Sequence, residues 1–171
     1  MSAAPDTLSN LPQIICDEVS IRLPDLKACK PHAGKFSLEE LKKSGLTSPA
    51  VLISTLGAKQ GEGYAGHATE FLLSMAAYVV CKDALGLQRD LAAANICQVL
   101  LELVPGKNWA NPACGQAQGV AMHTLISAKS KDSGVSLWAV TWNQPITFFQ
   151  SSPAPLGAQI YVGGTPISGA S

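Results

Sequence analysis

Apolar and polar positions follow two different periods along this chain, and each change of period marks an element. Leu11, Ile14, Ile15, Val19 and Leu23 recur three and four apart, which gives one apolar stripe of a helix over 10–23. Asn10 is placed to cap this helix, Pro12 is tolerated in its first turn, and Pro24 ends it. A short extended piece over 26–30 is stopped by Pro31. Ser37 and Glu40 have the spacing of a capping box for a second, short helix, which Gly45 closes. Residues 50–56 form an unbroken apolar run of strand length, rich in β-branched side chains, and predict a buried strand.

Residues 57–66 hold four glycines and predict a flexible loop or the tip of a long hairpin. The stretch 68–83 decides the fold class. Its Leu, Met, Ala and Glu are good helix formers. However, Phe71, Leu73, Met75, Ala77 and Val79 alternate with Leu72, Ser74, Ala76, Tyr78 and Val80, and the stretch reads as a strand. The broad apolar side of 87–104, carrying Leu91, Ile96, Val99, Leu100 and Leu103, predicts the longest helix, ended by Pro105 and Gly106. Residues 105–119 are loop. Residues 120–128 and 135–149 predict a hairpin around the polar turn 129–134, and Pro145 suggests an edge or a break late in its second strand.

Strands in hairpins with few helices point to an α+β fold: an antiparallel sheet of about four strands with helices packed on one face. Residues 1–149 form its single domain. Residues 150–171 carry no charge and are rich in Pro and Gly, so they predict an extended tail without a core of its own. Ile160, Tyr161 and Val162 are its only apolar knot and are a candidate docking strand for another chain.

Composition adds one lead. Charged residues are only 14% of the 171 positions, well below the usual quarter. A surface so poor in charge suits a subunit covered by neighbours. Twelve basic residues balance twelve acidic ones, so no net field draws the protein to nucleic acid or to an anionic membrane. The five scattered cysteines, Cys16, Cys29, Cys81, Cys97 and Cys114, are expected to be reduced and mostly buried. The opening residues lack the plan of a signal peptide, and no apolar run reaches the length that spans a bilayer; synthesis in the cytoplasm is expected.

The sharpest enzymatic signal is the spacing of Gly61, Gly63 and Gly66, which matches the dinucleotide fingerprint after a predicted strand, with Asp83 further on. That chemistry needs a helix straight after the third glycine, so that its amides face a pyrophosphate. With a strand there, the glycines are read as a hairpin loop. Cys29 and His32 make half of a metal knuckle with no second half. Cys114 and His123 offer a nucleophile and a base, but in no known hydrolase context. His67 reads as a loop histidine and His123 as a partly buried one. The carboxylate pairs Asp17/Glu18 and Glu39/Glu40 fall on solvated helix faces. No catalytic residue, metal or cofactor is expected. Trp138 and Trp142 lie on one face of a strand, where both core packing and an interface anchor remain open.

The helix over 10–23 ending in Leu23 and Pro24, the strand over 49–54, the long strand over 69–82, the Leu-rich helix over 87–104 and the closing strand over 137–142 together resemble the tail-terminator proteins of Mu-like phages. The resemblance covers roughly residues 8–149, in pattern and length. The tail after Gln150 and the richness in cysteine depart from it. It implies a structural virion protein, not an enzyme. Such a subunit forms a homohexameric ring on the head-proximal end of the tail tube, stops tube polymerisation and joins the tail to the head. The implied partners are other copies of the chain, the tail tube protein, head–tail connector or neck proteins and, in contractile tails, the sheath. No nucleic-acid sequence readout and no membrane partner are implied. The protein is expected in the host cytoplasm during assembly and in the virion afterwards. Gly61, Gly63, Tyr64 and Gly66 would form a loop that orders on tube or connector. Trp138, Trp142 and the knot at Ile160, Tyr161 and Val162 are the other candidate interface residues. The competing expectations are a head–tail adaptor of different stoichiometry and a small enzyme using 61–66 for a nucleotide.

Overall fold

The computed structural model describes residues 6–62, 68–83, 88–126, 134–149, 161–162 and 165–166. The elements in chain order are α1 (Thr7–Arg22), β1 (Ala28–Ala33), α2 (Leu38–Lys43), β2 (Ala50–Gln60), β3 (Ala68–Lys82), α3 (Arg89–Leu103), β4 (Gln118–Ile126), β5 (Val135–Phe149), β6 (Tyr161–Val162) and β7 (Thr165–Pro166). The fold is α+β. The stretch that decides it is a strand: β3 runs antiparallel to β2 on one side and to β5 on the other.

The main sheet has the order β1-β2-β3-β5-β4. It has five strands and is mixed, which corrects the expectation of about four antiparallel ones. The added strand is β1, which pairs parallel to β2 with Cys29 opposite Val51. Pro31 does not stop this strand but lies inside it. An edge strand tolerates a residue that lacks an N–H. Parallel neighbours need a crossover. The segment carrying α2 supplies it, held at its start by the predicted capping box, in which Ser37 Oγ accepts from the Glu40 N–H at 3.2 Å.

That crossover also corrects the layering. α1 and α3 cover one face of the sheet, burying Val51, Ile53, Met75, Ala77, Val79, Val140 and Trp142. α2 packs on the other, where Phe36, Leu41 and Leu46 meet Ala50, Leu52, Ala76, Tyr78 and Val80. Helices therefore lie on both faces. Strands covered twice are apolar at every position and not at alternate ones. This accounts for the unbroken apolar run in β2, and for burial of every residue from 75 to 81 in β3. Burying each Val or Ile contributes roughly 1.5–3 kcal/mol, so the doubly covered centre carries much of the stability.

Helix α1 starts three residues before the expected cap. Asp6 stands at its N-cap, and Asn10 donates its side-chain amide to Asp6 Oδ2 at 2.7 Å from inside the first turns. α3 ends where expected, at a turn with Gly106 at φ +75°. β5 runs unbroken through Pro145, although β3 flanks it throughout. The Pro145 carbonyl accepts from the Gly115 N–H at 2.9 Å, on the side away from β3. In a strand the N–H and C=O of one residue point the same way, so the missing N–H faces this side too, beyond the last β4 pair at Asn143. Position 115 must be glycine, because a Cβ there would stand 2.9 Å from the Pro145 Cβ.

Candidate functional site

The hairpin of β2 and β3 carries the glycine loop. The strands stay paired as far as Gln60 and Phe71, and the Gly61 N–H donates to the Glu70 carbonyl at 2.9 Å. Residues 57–60 are exposed. Gly63, Tyr64 and Gly66 lie outside the described residues, as does His67. The element after the third glycine is β3 and not a helix, so no helix N-terminus follows the loop to face a pyrophosphate. Asp83, the acid at fingerprint distance, forms an ion pair with Arg89 at the start of α3. Grooves of about 320 and 430 Å³ lie beside Leu23 and Ile96 and beside His32 and Phe36; neither includes a described residue of the glycine loop.

Trp138 and Trp142 do share the sheet face under α3, but the structure separates their roles. Trp142 is 2% exposed and stacks obliquely on Trp109, ring centres 6.2 Å apart. Both indoles donate to one acceptor, Gln144 Oε1, at 3.1 Å from Trp142 and 2.7 Å from Trp109. The Gln144 amide donates in turn to the carbonyls of Lys107 (3.1 Å) and Gly115 (2.7 Å). Trp142 therefore takes the core-packing reading, one of the two its position left open. Trp138 is half-buried, and its indole nitrogen has no hydrogen-bond partner among the described residues. Gln144 itself was missed. Its signal in the sequence is a polar residue between Trp142 and Ile146 on the buried face of a strand.

The remaining chemical candidates do not converge. His123 stands opposite Ala139, is exposed, and shares a 3.1 Å hydrogen bond with Thr141 Oγ1; it is not partly buried as expected, because β4 is a sheet edge. Cys114 bridges Ile146 at the other end of β5, so the two form no catalytic pair. His32 packs edge-on against Phe36, on the face opposite Cys29. Among the described residues, no group of three or more His, Cys, Asp or Glu is arranged to hold a metal. All five cysteines are free. No helix among the described residues is long and apolar enough to cross a membrane.

The surface that stands out is the β4 edge. β4 ends the sheet, and its outer side has no partner strand among the described residues. Its nine residues include no Asp, Glu, Lys, Arg or Pro. Met122 is 41% exposed and Leu125 50%. Two register shifts, between Gln118 and Ala121 and between Thr124 and Ile126, are its only irregularities against β5. The opposite edge, β1, differs: Lys30 and Pro31 are exposed there, the residues that blunt an edge. In the tail, Tyr161 and Val162 pair with Pro166 and Thr165 in a two-residue ladder, too short to stand alone. Ile160 lies outside the described residues. No protein family and no curated protein matches the chain.

Proposed function

We propose that this protein is a structural subunit of a phage tail: a tail terminator that assembles into a hexameric ring on the head-proximal end of the tail tube. There it stops tube polymerisation and offers a surface to the head connector. The resemblance to tail terminators suggests the role, and the β4 edge is the observation that carries it. An uncharged, proline-free edge with exposed Met122 and Leu125 is an aggregation hazard on a free monomer. It is an asset on a subunit that pairs with a copy of itself. The two edges of the sheet differ in character, so a contact joining β4 to a different surface of the next copy is head-to-tail, and such a contact makes a ring when the rotation between copies closes. A chain with only 14% charged residues suits a subunit covered on several sides.

In this reading the β2–β3 hairpin faces the tube or the connector, and no chemistry is performed. The test is to add the purified chain to growing tail tubes and view them by electron microscopy. Tubes that stop growing, with ring density at one end, are expected. Tubes of unchanged length with bare ends would overturn the reading. An adaptor of different stoichiometry would show density at the end with another copy number.

A further inference from the structure

Two strands of this chain lack a partner on one side, and they match each other. The first is β4, whose outer side faces no partner strand among the described residues. It carries no Asp, Glu, Lys, Arg or Pro, and Met122 is exposed on it. The second is β6 in the tail. Tyr161 and Val162 pair with Pro166 and Thr165 of β7 on one side, in a sheet separate from the main one, and have no strand on the other side among the described residues. The sequence around β6 suits a strand: Gly157 and Gly163 bracket five residues, Ala158 to Val162, without a proline. No residue from 150 to 171 is charged, so pairing β6 with β4 takes no Asp, Glu, Lys or Arg of either strand out of water.

We propose that β6 of one copy adds as a further strand to the main sheet of the next copy, along the outer side of β4. The donor is taken to be a second copy on the strength of the ring reading above, and β7 follows β6 as the outermost strand. Main-chain hydrogen bonds hold such a contact, and alternate side chains set its register. Met122 shares the face of its partner Val140, which is the face that α1 and α3 cover. Residues 160 and 162 of an added strand lie on one face and 161 on the other. Ile160 and Val162 on the Met122 face extend that apolar layer past the edge, with Tyr161 on the side of His123. A two-residue ladder too short to stand alone thereby becomes the rim of a larger sheet. Each copy gives one strand and receives one, which is a head-to-tail contact.

Reach favours a second copy over the chain's own tail. Met122 stands opposite Val140, about 30 Å back along β5 from its end at Phe149, at roughly 3.3 Å per residue. The outer side of β4 lies two strand spacings from β5, about 10 Å to the side. From Phe149 to Ile160 the chain spans at most about 36 Å when fully extended, and it must first reverse its direction. Pairing with its own β4 at Met122 therefore requires a linker drawn nearly taut, with its conformational freedom given up. A neighbour can bring its edge to the tail.

The test uses the full-length chain with Met122 replaced by the photo-reactive residue p-benzoylphenylalanine, a change at an exposed position. These light copies are mixed with heavy-isotope copies that carry no probe, at low concentration where copies separate, and the mixture is then concentrated, irradiated, digested and read by mass spectrometry. The expected adduct joins a light β4 peptide to a heavy peptide containing residues 160–162. That adduct should be lost when the heavy copies carry Tyr161→Asp and Val162→Asp, with an unchanged circular dichroism spectrum. An adduct to the tail of light copies alone, an adduct to β4 of a second copy, or no adduct would overturn the proposal. Copy number and tube growth judge the ring separately. A six-copy species that survives Tyr161→Asp/Val162→Asp overturns the added strand and leaves the ring. Bare-ended tubes overturn the ring, while a heavy-tail adduct still upholds the added strand.

Discussion

Trp109 and Gln144, 35 residues apart in the chain, meet in the core through a 2.7 Å hydrogen bond from the indole N–H to Oε1. The contact ties the loop after α3 to the centre of β5. Gln144 uses its remaining capacity on Trp142 and on two backbone carbonyls, so a buried amide is fully satisfied.

Gln144→Leu keeps the volume and removes every partner. Two indole N–H groups and the Gly115 carbonyl lose their bonds, while the Lys107 carbonyl keeps the Ala117 N–H at 2.8 Å. At roughly 1–3 kcal/mol for each orphaned group, the variant should lose about 3–5 kcal/mol of stability. Gln144→Glu keeps an acceptor for both indoles and should not restore the two carbonyl contacts. Urea unfolding followed by far-UV circular dichroism checks this, and a loss below about 1 kcal/mol for Gln144→Leu would contradict it.

Ala110 is exposed and sits at φ +53°, a left-handed conformation that costs a side-chain-bearing residue about 1–2 kcal/mol. Its N–H is held by Asn108 Oδ1 at 3.2 Å, a bond that glycine would keep. Ala110→Gly should therefore raise stability, by up to about 1 kcal/mol after the added freedom of the unfolded chain is counted. A lowered urea midpoint would show that the turn is unstrained.

Burial pushes the Cys114 thiol up from its ordinary 9.0 to about 11. Below the lower value the thiol is protonated in both folded and unfolded chains, so it adds no pH dependence. Between the two values the unfolded chain ionises there and the folded chain does not, and stability falls as pH rises. The slope from this one group is at most about 1.4 kcal/mol per pH unit, and it vanishes above the folded value. The stability difference between wild type and Cys114→Ala should thus be flat below about pH 8 and shrink through the window above 9.0. Parallel curves across that window would contradict the assignment.

Much of this fold is legible in the sequence because several local signals agree. Alternation over 68–83 outweighs helix propensity, and the result is β3; Ser37 and Glu40 build the capping box their spacing announces. The features that were not legible depend on partners far away in the chain. Pro31 looks like a stop until β1 is known to be an edge strand, and Pro145 looks like a break until Gly115 is known to lie beside it. The parallel pairing of β1 with β2 turns on whether the segment carrying α2 crosses over the sheet, and a six-residue helix says little about that. Trp142 and Gln144 show the same limit: alternation places both on one face, but only the position of Trp109 decides that this face is closed. The β4 edge was legible only as a weak strand without charge, since exposure of Met122 and Leu125 is set by its place at the end of the sheet.

The claim that the chain is a ring subunit joined through β4 is tested most directly by native mass spectrometry of the wild type beside Met122→Lys/Leu125→Lys. Lysine on an exposed edge is the device that keeps sheets from pairing, and neither side chain is needed for the core. The wild type should appear as a species of six copies, and the double variant as a monomer with an unchanged circular dichroism spectrum. A wild type that stays monomeric at the highest concentration, or a double variant that still forms the six-copy species, would contradict the account.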